Sequence, residues 1–162
     1  MFLKWGGIPS VSVFRHNDQI LPNPAKIKYH EKLALITGIQ APSAFEESED
    51  SDNADEVYRS WSDHLRAQSR DAKKFPLLFI ENINYGFRRN LLGIKSQCLL
   101  SSLVGAALIV IPKRETYDFS QTEIATLGII SLYALTLLFA VNANWVHTTA
   151  TEYAKRLVET IS

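Results

Sequence analysis

The sequence predicts an all-α membrane protein: a helical cytoplasmic N-terminal region followed by a two-helix transmembrane hairpin. Three observations predict it. Residues 96–112 and 124–146 are runs of 17 and 23 residues without a charge. Between residues 96 and 151 the only charged residues are Lys113, Arg114, Glu115, Asp118 and Glu123, gathered in one short stretch. The first ninety residues, by contrast, are rich in charge and carry helix punctuation at several places. Average hydropathy near zero therefore conceals two different polymers, one polar and one apolar.

The 162 residues suit one ordinary domain. Lys plus Arg and Asp plus Glu number 17 each, so the formal net charge is zero. A nucleic-acid binder usually carries a basic excess, and direct sequence-specific binding is not expected. One cysteine, Cys98, allows neither an internal disulfide nor a cysteine-based zinc site.

Residues 1–90 are read as the cytoplasmic region. The opening has a Gly6-Gly7 turn and a possible short strand over residues 11–14. A helix follows with Asn23 as its cap, Pro24 in its first turn and Gly38 at its end. Ile27, His30, Leu33, Ala34 and Ile36 give it an apolar side. Residues 46–56 hold seven carboxylates in eleven positions, which repel one another and favour a solvated loop or a helix start. Asn53 and Glu56 have capping-box spacing. The next helix shows Val57, Trp61, Leu65 and Gln68 along one stripe, with Tyr58 beside it. Pro76 starts a further helix that runs on into the first span, with a bend near Gly86. Three amphipathic helices in this length make a small core, one that membrane contact or self-association would help.

The first span is placed at residues 91–112, roughly 33 Å of helix at 1.5 Å per residue. The second, residues 124–146, is roughly 34 Å long. Both match a hydrocarbon core of about 30 Å. A soluble helical pair of this length would need a polar face, and these runs have almost none. Residues 113–123 form the external loop; Pro112 stops the first helix, and Ser120 or Thr122 caps the second. Residues 147–162 form a cytoplasmic tail. The long apolar runs are not placed as a signal peptide would be.

Orientation follows from the basic residues. The loop holds Lys113 and Arg114. The flanks hold Arg88, Arg89 and Lys95 before the hairpin and Lys155 and Arg156 after it. Both termini are thus expected in the cytoplasm, with Arg88, Arg89, Lys95, Trp145, Tyr153, Lys155 and Arg156 as a membrane-interface anchor. Ser101, Ser102, Gly105 and Ala106 are small residues at helix-packing spacing. Asn142, Asn144 and His147 are polar residues toward the cytoplasmic end of the second span and are expected to face protein or water.

The motifs of enzyme chemistry are not found. His16, His30, His64 and His147 have no zinc spacing. There is no nucleophile elbow, Walker loop or dinucleotide-binding glycine pattern. Arg15 to Asp18 gather an acid, a base and an amide, a combination ordinary in a turn. The acidic stretch lacks the glycine and final glutamate spacing of a calcium hand. No catalytic residue, metal or cofactor is expected.

The order KWGGIPS, then RDAKKFPLLFIENINYGFRRNLLGIK, then a hairpin resembles a family of small uncharacterised bacterial two-span membrane proteins. In layout it also resembles the membrane effectors of anti-phage defence systems. The resemblance covers residues 4–10 and 70–95 by wording and the hairpin by architecture. It implies residence in the bacterial inner membrane and a toxic effector. Such effectors damage the membrane when a nucleotide signal or a reverse-transcriptase complex releases them. This chain has no recognisable nucleotide-sensing domain, so the resemblance implies a separate sensing protein. The expected partners are the lipid bilayer and either further copies of the chain or a regulatory protein. The rival expectation is an accessory or structural subunit that anchors a larger membrane complex. The motifs carry no catalytic meaning, so no functional residue carries over.

Overall fold

The computed structural model describes residues 5–161, and all regular structure among them is helical. The order is α1 (Pro9–Ser12), α2 (Asn23–Thr37), α3 (Ala44–Glu49), α4 (Ser51–Gln68), α5 (Pro76–Val110), a 3-10 turn (Ile111–Lys113), α6 (Gln121–Phe139) and α7 (Ala143–Val158). The chain divides into two compact units. One joins Met1–Gly86 to His147–Ser162, and the other is Phe87–Val146.

In the first unit, local sequence sets most boundaries. Gly38 ends α2 in the left-handed conformation, φ 72°, which glycine adopts without strain. Pro22 occupies the cap position of α2, and Asn23 is the first helical residue. Ser43 and Glu46 form a capping box that starts α3 inside the acidic stretch. The Asp50 side chain accepts from the Asn53 backbone N–H at 3.0 Å and starts α4. Both caps place carboxylates at helix N-termini, where the dipole favours them, so the acidic run folds instead of forming a loop.

The strand considered at residues 11–14 is not formed. Residues 9–12 are helix α1, led by Pro9, with the Ile8 carbonyl accepting from the Val11 and Ser12 N–H groups at 2.8 and 2.9 Å. Four residues without a partner strand cannot pair their backbone groups as a sheet; a helical turn does so internally.

The core of this unit is aromatic. Phe14, Tyr58 and Trp61 are fully buried, with ring centroids 5.7 to 6.1 Å apart. Leu33, Ala54, Leu65 and Leu78 surround them. Val57 and Gln68, expected on the α4 stripe, are half-buried and exposed, whereas Trp61 and Leu65 are buried as expected. The remaining wall is α7 and the residues after it: Ala154, Leu157 and Val158 of α7 are fully buried, and Ile161 beyond its end nearly so. The segment read as a tail therefore contributes to the core of this first unit, the head.

On α2 the inward stripe is Lys26, His30 and Leu33; Ile27 and Ile36 face out. A lysine is buried here because its ammonium finds carbonyl partners, described below.

The second unit consists of the later part of α5, the 3-10 turn with Pro112, α6 and the start of α7. Ser120 and Glu123 form a capping box at the start of α6. The uncharged run 124–146 is not one helix. It is divided between α6, which ends at Phe139, and α7, which begins at Ala143. Two helices, Pro76–Lys113 and Gln121–Phe139, are long and apolar enough to cross a membrane.

Candidate functional site

The break between α6 and α7 gathers several of the polar residues singled out in the sequence. The last carbonyls of a helix lack intrahelical partners and carry partial negative charge. Here they are met by side chains. The Lys95 ammonium donates to the Leu138 carbonyl at 3.2 Å and to the Val141 carbonyl at 2.8 Å. The Asn142 amide donates to the Phe139 and Ala140 carbonyls at 3.1 and 3.3 Å. Its oxygen accepts from the Trp145 backbone N–H at 3.0 Å and so caps the start of α7. Arg88 donates to the Trp145 carbonyl at 2.9 Å, and its guanidinium lies 4.7 Å from the centroid of the Trp145 ring. Lys95, Arg88, Asn142 and Trp145 thus form one clasp around the break.

The other predicted residues are placed elsewhere. Arg89 and Asn144 are exposed. His147 lies 4.8 Å from Trp5 between ring centroids, and Tyr153 stacks on Tyr85 at 6.2 Å. Lys155 pairs with Glu152 at 3.0 Å and Arg156 with Glu159 at 2.7 Å, each one turn away on the same segment. Of the four small residues, Ser102, Gly105 and Ala106 are half-buried and Ser101 is exposed. A side chain at Gly105 would sit 3.6 Å from Ile130 of α6, so this glycine marks the approach of the two helices.

The head contains a second polar constellation that residue spacing did not disclose. Arg15 forms a two-armed pair with Asp55, with its Nε 2.8 Å from Oδ1, and donates to the Gly6 carbonyl at 2.6 Å. Glu47 accepts from the His16 backbone N–H and, at 2.7 Å, from the Tyr58 hydroxyl. The Lys26 ammonium donates to the carbonyls of Arg15, His16 and Asp18 at 2.7, 3.2 and 2.6 Å, which uses all three protons. His30 Nε2 lies 2.8 Å from the Phe14 carbonyl, and its ring is 5.3 Å from that of His16.

Burial holds the Lys26 pKa below the usual lysine value, against the opposing pull of Asp18 and Glu47. Burial likewise lowers His30, aided by His16 and Lys26 and opposed by the bond to the Phe14 carbonyl. Burial, then the bond to Glu47 and its charge, drives Tyr58 upward. The bond to Asp55 raises Arg15. The acids of residues 46–56 therefore include two, Glu47 and Asp55, that tie the N-terminal segment to α3 and α4. Sequence separations of 31 and 40 residues leave no local signal for either contact.

These polar groups are committed to the chain itself. Two shallow clefts border them, one lined by Gly6, Gly7, Arg15, Asp55 and Arg59, the other by His16, Asn23, Lys26 and His30. Among the described residues no group of three His, Cys, Asp or Glu side chains is placed to hold a metal ion. Comparison with protein-family models, with curated proteins and with solved structures finds no match.

Proposed function

We propose that the chain is a membrane-anchored effector of the bacterial inner membrane. The hairpin crosses the bilayer, both termini lie in the cytoplasm, and the helical head is held or released by a regulatory partner. Once released or assembled, the hairpin perturbs the membrane, in keeping with a role in bacterial defence.

The observation that carries this reading is the pair of apolar helices with large side chains turned outward. Leu103, Ile129 and Leu132 are each about 70% exposed. Water would make such a surface costly, and lipid would not. A head built from both flanks of the hairpin supports an entry and exit on one side of the bilayer. The basic excess of those flanks supports the cytoplasmic side. Controlled expression with a membrane-potential dye tests the effector role. Depolarisation and arrested growth on triggering are expected; an unchanged potential with or without the regulatory partner removes the role.

A second reading, an accessory subunit docked to a larger complex, is favoured by the outer face of α2. Ile27 and Leu35 are 60% and 85% exposed there. Purification in mild detergent separates the two. A stoichiometric complex with a housekeeping enzyme favours the subunit, and a homo-oligomer or defence partner favours the effector.

A further inference from the structure

Helix α2 is docked on the head largely through ionisable side chains. Its buried residues are Lys26, His30 and Leu33, so Leu33 alone is both apolar and buried. The other two hold the turn that follows α1. His30 Nε2 lies 2.8 Å from the Phe14 carbonyl, and the Lys26 ammonium takes the carbonyls of Arg15, His16 and Asp18. His16, in that same turn, reaches past α2: its Nε2 lies 3.0 Å from the carbonyl of Pro42, in the connection to α3. One histidine thus ties α2 to the turn, and the other ties the turn to the segment after α2. Helices α4 and α7 enter the core differently, through Trp61, Leu65, Ala154, Leu157 and Val158, whose packing involves no charge.

A carbonyl only accepts, so Nε2 carries the proton of each neutral ring, and acid adds its proton at Nδ1. The bonds to Phe14 and Pro42 survive that step; what changes is charge. The two rings are 5.3 Å apart between centroids. Among the described residues, the titratable groups around His30 are His16 in the turn, Lys26 on α2, Glu47 of α3 and Tyr58 of α4. Glu47 is the one acid of these four, and it already accepts from the His16 backbone N–H and the Tyr58 hydroxyl. His30 is 7% exposed, so an imidazolium there has little water to solvate it and stands beside an ammonium and a second imidazole. Burial, then His16 and Lys26, hold the docked ring below its ordinary value, against the bond to Phe14 and the charge of Glu47. Both rings line the cleft shared with Asn23 and Lys26, which gives protons a way in.

We propose that α2 is an acid-released arm of the head: protonation of His30, with His16 beside it, undocks α2 from the turn at residues 14–18 while α4 and α7 stay packed. The sign follows from where the proton binds more readily. A released His30 has its ordinary affinity, about pH 6.5, and the docked ring a weaker one. Docking is therefore complete above about pH 6.5 and is lost as pH falls below it. An element with few buried apolar contacts opens locally before the whole unit unfolds, and α2 has one fully buried apolar side chain. Gly38 ends α2 with nothing within 4 Å of a Cβ placed on it, so the far end of the helix is unobstructed. Release exposes Leu33 and gives the head a second state below neutral pH. The device lies wholly in the head and does not depend on the membrane reading.

Hydrogen exchange of the full-length chain in detergent, at about pH 7.5 and about pH 5.5 and corrected for the intrinsic rate at each, tests the arm. Protection of residues 23–37 is expected to fall about fivefold to tenfold, close to the most that one proton gives over the unit below pH 6.5, with residues 51–68 unchanged. His30→Gln keeps a donor for the Phe14 carbonyl but takes no proton, and should leave α2 equally protected at both pH values. His16→Gln should show a smaller fall, because one neighbouring charge is gone; an undiminished fall overturns the part given to His16. Equal loss over α2 and α4 overturns the arm, as does unchanged protection of α2 or a fall that persists in His30→Gln. If His30→Gln does not fold, the unaltered chain decides. Its loss of α2 protection must lie between about pH 6.5 and the midpoint of the His30 C2 proton read by NMR. A midpoint at or above about 6.5, or a loss outside that window, overturns the proposal.

Discussion

At the residue scale, charges in the head act through what they replace. Lys26 is 2% exposed, yet three carbonyls stand where water would. These carbonyls belong to the turn after α1, so one side chain holds the turn that presents Arg15 to Asp55. Asp55→Asn would leave a partly buried guanidinium with one weakened partner. A loss of about 1–2 kcal/mol is expected, read by chemical denaturation in detergent. His30 sets a pH dependence. Its folded pKa lies below the unfolded value of about 6.5, so the unfolded chain binds the proton more readily. Stability is fully present above about pH 6.5 and falls as pH drops toward the lowered folded value. Thermal melts from pH 7.5 downward should show that fall, and His30→Gln should flatten it.

At the element scale, the second uncharged run shows why length alone does not define a helix. Its composition is apolar from end to end, but Asn142 competes for the backbone from both sides. It takes carbonyls of the outgoing helix and caps the incoming one. Lys95 then supplies protons to two further carbonyls, an interaction favoured at a helix C-terminus. The sequence reading placed Lys95 and Arg88 in a membrane-interface anchor. In the structure their donors reach backbone carbonyls at the α6–α7 break, those of Leu138 and Val141 for Lys95 and of Trp145 for Arg88, a role that charge counting alone does not reveal. Asn142→Ala removes the cap and should cost about 0.5–2 kcal/mol. Lys95→Met should destabilise the same break, because two carbonyls lose a charged donor. Both are read by denaturation followed through circular dichroism, and a variant as stable as the parent would refute the clasp.

At the whole-molecule scale, the head depends on both ends of the chain. Trp61 and Leu157 are almost a hundred positions apart and lie in one core. Trp61→Ala should cost about 3–5 kcal/mol and Leu157→Ala about 2–5 kcal/mol, with the whole head unfolding together in each case. A head that kept its melting transition after deletion of residues 147–162 would contradict the shared core. If the hairpin spans a bilayer, both termini must be labelled from the same face of sealed vesicles, which an impermeant thiol reagent on terminal cysteines checks directly.

Sequence by itself determined the helical class, the two apolar helices, the cap at Gly38, the helix start at Pro76 and the stop at Pro112, and narrowed the cap of α6 to Ser120 or Thr122. Each follows from hydrophobic spacing or from the backbone preferences of a few neighbouring residues, which are local and additive. Tertiary structure alone decided the burial of Lys26, the Arg15–Asp55 and Glu47–Tyr58 contacts, the clasp of Lys95 and Asn142, and the use of the C-terminal segment as a core wall. Apart from the local Asn142 cap, those depend on groups from eight to more than forty residues apart in sequence meeting in the fold. A charge is worth burying there only once its partner's position is known.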